Sequence, residues 1–197
     1  MERKYSKIIS PQILIDAYVN GWFPMADPET GEIEWFSPLR RAIFPIYSIK
    51  PSHSMKQILK KKIFEVRIDT CFENVIMGCA NRPDTWINDV LINSYINLHH
   101  LGYAHSVETF KDGLLVGGLY GVAIGAAFFG ESMFSLVSNA SKVAFYHLIE
   151  HLKARNFILL DSQFINEHTK MLGAIEIPRY QYIKILKHAV KQKDVTF

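Results

Sequence analysis

The sequence predicts an α+β fold with a mixed sheet, and three observations carry that expectation. Asp112-Gly113, a pair that suits a type I′ turn, separates two strand-like runs at 104–110 and 114–124. Two helical stretches, about 71–80 and 88–101, precede this hairpin. A third apolar run, 126–135, leads through a helical stretch at 140–153 to a buried strand at 157–161, so a helix crosses over between two strands.

Taken in order, Ser10-Pro11 reads as a helix start, with serine at the cap and proline at the first helical position. Ile13, Leu14, Ala17 and Tyr18 share a face, and Gly21 stands where the helix must stop. Residues 21–51 change texture: five prolines, two glycines and short apolar pieces around 33–36 and 42–46. This stretch reads as a small β-rich or irregular lobe that must pack on the rest of the chain. Two units are expected, 1–58 and 59–197. Ser54 is the expected cap of a basic helix reaching Lys62, and Phe64, Val66 and Ile68 alternate with charges as a half-buried strand does. Gly102 ends the second helical stretch, and Ser138 or Asn139 caps the crossover helix. A short helix, a strand at 174–177 and a helix at 180–190 complete the chain.

At 49% apolar and 21% charged, the composition is globular, which excludes disorder, collagen and coiled coil. No apolar run approaches the ~20 residues of a membrane span, and the charged start has no apolar stretch behind it, so no secretory signal is expected. Cys71 and Cys79 are too few for a disulfide framework and wrongly spaced for a zinc knuckle. A reducing cytoplasm is the expected location. A net charge of +3 is low for a dedicated duplex-binding domain, though compatible with local contact to RNA.

Five groups of residues bear on chemistry. His147, Glu150 and His151 fit H-x-x-E-H, the spacing of some zinc peptidases, with Glu167 or His168 as the only third ligand at hand. The pattern arises easily by chance among eight histidines, and the residues flank an apolar stripe as an exposed set would. The glycine run at 117–125 lacks the lysine of a phosphate loop and reads as strand glycines that let a ligand or another backbone come close. Lys56, Lys60, Lys61 and Lys62 read as a solvated face or an RNA contact. Asp161 and Gln163 end an apolar strand at i and i+2, where a carboxylate and an amide on one face can hold an amine; the alternative is a cap or surface turn. Glu131, a lone acid after an apolar strand, can bind a cation.

Longer blocks carry a resemblance. Gly21-Trp22-Phe23-Pro24-Met25, Trp35-Phe36-Ser37-Pro38, Thr85-Trp86-Ile87, Gly102-Tyr-Ala-His105-Ser106-Val-Glu108, Gly117-Gly-Leu-Tyr-Gly121-Val-Ala, Phe129-Gly-Glu131-Ser-Met-Phe-Ser135, Asn139-Ala-Ser-Lys142, Asp161-Ser-Gln163 and Leu172-Gly-Ala-Ile-Glu176-Ile-Pro-Arg179 resemble, in order, the bacterial leucyl/phenylalanyl-tRNA–protein transferases. The resemblance implies a small N-terminal lobe and a GNAT-like (acetyltransferase-like) catalytic domain without acetyl-CoA. It implies transfer of Leu or Phe, and less well Met, from aminoacyl-tRNA to proteins with N-terminal Arg or Lys, marking them for degradation by the bacterial N-degron route. An activated ester donor needs no cofactor, ATP or metal.

By the same resemblance, Gln163 orients the acceptor amine and Asp161 polarises it or takes its proton. Glu131 meets the acceptor's basic side chain, and Asn166 holds backbone. Leu119, Phe128, Met133, Leu148 and Leu152 line the donor side-chain pocket, although core packing explains each singly. Trp35 and Trp86 flank the terminal adenosine, and Lys56, Lys60 and Lys61 form the tRNA patch. Departures from the family are His53 and Gln57 where arginines are familiar, Ser162 for a common cysteine, Phe36 for a frequent tryptophan and Leu148 for an aromatic. The expected partners are aminoacyl-tRNA and acceptor proteins, with no membrane, no DNA and a monomeric chain. A zinc hydrolase and a non-catalytic RNA-binding protein are the alternatives.

Overall fold

A computed structural model describes residues 8–83 and 85–197. Residues 1–7, which carry the charged start and open the expected lobe, lie outside the described residues, as does Asp84. Helix α1 (Pro11–Val19) begins at Ser10, whose side chain makes no capping bond, and buries Leu14 and Tyr18. Strands β1 (Phe23–Ala26) and β2 (Ile33–Phe36) form a separate antiparallel ribbon.

Strand β3 (Arg40–Phe44) does not stay with that ribbon. It enters a seven-stranded sheet together with β4 (Glu65–Ile68), β5 (Ala104–Lys111), β6 (Leu114–Ile124), β7 (Ala127–Ser135), β8 (Leu159–Gln163) and β9 (Ile175–Pro178). The order is β4-β5-β6-β7-β8-β3-β9, so β3 lies between β8 and β9 and is antiparallel to both. Among the described residues only β7 and β8 run parallel, which makes the sheet mixed as the sequence predicts. The expected boundary at 58 falls inside helix α2 (His53–Lys61).

Local chemistry accounts for most boundaries. Asp112 and Gly113 both take positive φ (51° and 76°), as a type I′ turn requires. The side chain of Ser52, not Ser54, accepts from the Met55 N–H at 3.2 Å to cap α2. Cys71 stands at the N-cap of α3 (Phe72–Ala80), and Cys79 lies buried within that helix; both are free thiols. Asn88 caps α4 (Asp89–His100) through Leu91 N. Asn139 precedes α5 (Ala140–Ala154) in a left-handed turn, so its side chain makes no cap. Helices α6 (Glu167–Met171) and α7 (Arg179–Ala189) complete the chain.

Two apolar cores lie on either side of the sheet. One gathers α1, α3, α4 and α7 around Tyr120 and Phe129; the other gathers α5 and α2 around Phe128 and Leu119. The strand glycines serve this packing. A Cβ at Gly117 would stand 2.6 Å from Ala140 Cβ, and one at Gly121 2.3 Å from Phe129 O. The close neighbours are thus the chain's own elements. No helix among the described residues is long and apolar enough to cross a membrane.

Candidate active site

Strands β7 and β8 are paired over three positions only, ending at Phe129 opposite Asp161. Beyond that pair they continue to Ser135 and Gln163 without meeting, and a cavity of about 440 Å³ opens between Gly130–Ser135 on one side and 160–163 on the other. A bulge marks each strand there. Gly130 and Ser132 pair with Gly121 and Tyr120, leaving Glu131 as the extra residue of β7. Asp161 and Gln163 pair with Ile43 and Ala42, leaving Ser162 as the extra residue of β8. Bulges re-aim side chains, and this one turns Glu131 into the cavity.

Glu131 is the centre of a hydrogen-bonded group. Its Oε1 accepts from Tyr18 Oη at 2.7 Å and from Gln163 Nε2 at 3.2 Å, and its Oε2 accepts from Tyr95 Oη at 3.1 Å. The two tyrosine hydroxyls stand 2.5 Å apart. Burial raises the Glu131 carboxyl to about 7 despite the lowering effect of the tyrosine bonds. Burial and the neighbouring carboxylate hold both tyrosines well above their ordinary range, so they remain neutral donors. A carboxyl poised near neutrality in a cavity is the state that proton transfer at cellular pH calls for.

Asp161 occupies a different environment from the one expected. Its carboxylate is wholly buried and receives Arg41 Nε at 2.9 Å, Arg41 Nη2 at 2.6 Å and Tyr182 Oη at 2.7 Å. Arg41 is equally buried and is caged by the Phe23 and Tyr182 rings, at 4.4 and 4.7 Å, and by Gly21 O at 3.2 Å. Burial disfavours the Arg41 charge, but the charge and bonds of Asp161 outweigh it and raise the guanidinium overall. Asp161 reaches Gln163 through the main chain, where Oδ1 accepts the Gln163 N–H at 2.9 Å. The expected side-by-side pairing takes another form: Asp161 holds the Gln163 main chain, and the Gln163 side chain bonds to Glu131. Gln163 has φ 53°, a conformation rare outside glycine, and the Asp161 bond pins it there. The result presents the Gln163 amide to Glu131.

The apolar end of the cavity is walled by Phe44, Leu119, Met133, Phe145, Leu148 and Leu160. Three expected residues, Leu119, Met133 and Leu148, stand in that wall. Phe128 and Leu152 stand behind it in the core, both fully buried. His168 Nε2 lies 3.2 Å from Met133 Sδ and lines the same cavity. Asn166 lines it too, but its Oδ1 caps α6 by accepting the Thr169 N–H at 2.9 Å. Trp86 lies at the rim, whereas Trp35, on β2 opposite Pro24, is not in the lining. Lys56, Lys60 and Lys61 are exposed on α2. The H-x-x-E-H residues do not converge: Glu150 pairs with Lys153 at 2.8 Å and His151 packs 4.5 Å from the Phe197 ring. Among the described residues no group of three His, Cys, Asp or Glu could hold a metal ion.

Sequence reading passed over Arg41 and Tyr95, took Tyr18 only as part of a helix face and took His168 only as a possible zinc ligand. Arg41 leaves a trace, a charge immediately before the apolar run Ala42-Ile43-Phe44. Tyr18 reads as an ordinary member of a helix stripe, Tyr95 lies unremarked in the helical stretch 88–101, and nothing local announces that their hydroxyls meet across 77 positions of sequence.

Comparison with known proteins matches residues 43–187 to the family described as leucyl/phenylalanyl-tRNA protein transferase and residues 8–39 to that family's N-terminal domain. A leucyl/phenylalanyl-tRNA–protein transferase of Gloeobacter violaceus is 49% identical over 182 residues, covering 92% of this chain and 94% of the relative. One of Zymomonas mobilis subsp. mobilis is 51% identical over 190 residues, covering 94% of this chain and 71% of the relative. Among solved structures, a ribosomal-protein-alanine N-acetyltransferase of Brucella melitensis biovar Abortus aligns with a TM-score of 0.39 and 13% identity, over 55% of this chain and 86% of that one.

Proposed function

The chain belongs to the leucyl/phenylalanyl-tRNA protein transferase family, and from that premise we propose that it transfers Leu or Phe, and less well Met, from aminoacyl-tRNA to the N-terminal Arg or Lys of acceptor proteins. The product is a new peptide bond and a degradation signal of the N-degron kind. The observation that carries the reading is a cavity with one apolar end and one polar end at Glu131 and Gln163, where Glu131 accepts from Gln163 and, behind it, from the Tyr18 and Tyr95 hydroxyls.

The donor's side chain enters the apolar end against Leu119, Met133 and Leu148, which suits a side chain unbranched at Cβ. Trp86 stacks the terminal adenosine at the rim, with Trp35 on the ribbon beside it; α2 offers Lys56, Lys60 and Lys61 to the phosphates. The acceptor's α-amine has an ordinary pKa near ~7.7–8.0, so its cationic form must lose one proton to become a nucleophile and a second as the peptide bond forms. With Nε2 given to Glu131, Gln163 keeps its carbonyl oxygen free to orient that amine. Glu131 draws the cationic N-terminus and takes the proton. The neutral amine nitrogen attacks the ester carbonyl, and the tetrahedral intermediate collapses as the C–O bond to the adenosine ribose breaks and the nitrogen's second proton passes to that ribose oxygen.

Asp161 has no part in the proton transfer because Arg41, Tyr182 and the Gln163 N–H already fill its lone pairs. It is a positioning residue. Asn166, fixed as a cap, retains its amide N–H groups for a backbone carbonyl of either substrate. Every group in this scheme comes from one chain, so a cytoplasmic monomer suffices, and no step needs a cofactor. The test is transfer of radiolabelled leucine from leucyl-tRNA to peptides that differ only in N-terminal Arg, Lys, Asp or Ala. Incorporation confined to Arg and Lys peptides is expected; none, or no selectivity, overturns the reading.

A further inference from the structure

Around α5 from the active-site cavity lies a second cleft of about 420 Å³, between the turn Ile46–Ser48, the start of α2 and the first turns of α5. The two spaces share their walls. Helix α5 gives Ser141, Phe145 and Leu148 to the cavity and Asn139, Lys142 and Tyr146 to the cleft. Phe44 lines one and Pro45 the other; Thr169 lines one and Met171 the other.

The chemistry of the cleft is one-sided. Lys50 and Lys142 line it, with the Ser54 hydroxyl and the Asn139 amide, and its lining contains no carboxylate. Among the described residues neither lysine forms an ion pair, whereas Lys153 and Lys170 nearby each pair with a glutamate. Two lysines held about one concave space, uncompensated and accompanied by neutral donors, favour an anion between them. Met55 and Ile58 of α2 form one side of the cleft, and the same helix exposes Lys56, Lys60 and Lys61. A basic track thus runs along α2, through the cleft and up to Ser141 at the active-site cavity.

We infer that this cleft binds the sugar–phosphate backbone of the donor RNA shortly before its aminoacylated end, with Lys50 and Lys142 as the phosphate contacts. The inference rests on the transferase reading. Separate tracks for the phosphates and the side chain would let one RNA geometry deliver different amino acids to the same cavity.

The experiment compares two donors, leucyl-tRNA and leucyl-adenosine, the second having the ester and base but no phosphate. Lys50→Ala and Lys142→Ala should each flatten the dependence of log binding constant on log salt for leucyl-tRNA by roughly 0.7–0.9, and the double variant by roughly twice that. The ratio of kcat/KM for leucyl-tRNA to that for leucyl-adenosine should fall in step, and Lys142→Arg should restore it. An unchanged slope in the double variant, or an equal loss with both donors, would overturn the inference. Failure of the unaltered enzyme to use either donor would instead remove the transferase reading beneath it.

Discussion

Glu131→Gln separates stability from activity in one substitution. The Glu131 carboxyl rises from its ordinary 4.5 to about 7 on folding, chiefly through burial. At 1.36 kcal/mol per unit, holding it ionised above pH 7 costs the folded protein at most about 3 kcal/mol, since one side of the group faces the open cavity. Below pH ~4.5 both folded and unfolded chains are protonated there and no cost exists. Between 4.5 and 7 the folded protein retains a proton that the unfolded chain has lost, so stability declines as pH rises, and above 7 the cost is complete. The amide isostere carries no charge. The variant should match the unaltered protein near pH 4 and exceed it at pH 8, by several degrees in melting temperature at ~2–4 °C per kcal/mol. Its transfer rate should fall ~10²–10⁴-fold and lose the acid limb near pH 7, as expected when a positioned base is removed. Thermal melts across pH, paired with single-turnover transfer to an Arg-peptide, measure both. If the variant gains no stability with pH, or loses less than tenfold in rate with its pH profile intact, Glu131 is neither a strained charge nor the base.

The buried pair gives a second expectation. Asp161→Asn strands the Arg41 charge and should cost about 3–5 kcal/mol, while Arg41→Met with Asp161→Leu should recover most stability in denaturant melts but not transfer, and high pH should rescue neither. For the donor pocket, Leu119→Phe should favour Leu and Leu148→Ala should favour Phe by tens-fold in competition assays, one methylene being worth ~1–3 kcal/mol. Phe128→Ala, behind the wall, should lower stability by about 3–5 kcal/mol and leave the Leu/Phe ratio alone.

How far the sequence could be read depended on where each determinant lies. Periodicity placed the helices, and Asp112-Gly113 marked its turn because two adjacent residues carry that signal. The cap of α2 misled, since serines two residues apart offer equivalent caps until the helix phase is known, and at α5 the position Asn139 was legible but its left-handed conformation, which leaves the side chain without a capping bond, was not. Six residues expected at the site, Glu131, Asp161, Gln163, Asn166, Met133 and Leu148, line one cavity. Their roles were less legible. Spacing of i and i+2 puts side chains on one face only in a regular strand, and the bulge at Ser162 breaks the rule. Likewise Phe128 and Leu152 are apolar in the right elements, and only packing decides which layer faces the cavity. The destination of β3 left no local trace, because its partners come more than a hundred residues later.

That last placement ties function to the order in which a ribosome delivers the chain. Arg41 leaves the ribosome 120 residues ahead of Asp161, roughly 6–24 s at 5–20 residues per second. Until β8 and β9 emerge, β3 has neither flanking strand and Arg41 has no counter-charge. The emerging chain must keep an apolar strand waiting for partners that do not yet exist, which is the interval in which a chaperone is most useful. Because Asp161 also pins Gln163, the last strands to arrive complete the binding site as they complete the sheet. A nascent chain that stops short of β8 lacks both Asp161 and Gln163 and so presents only one wall of the cavity.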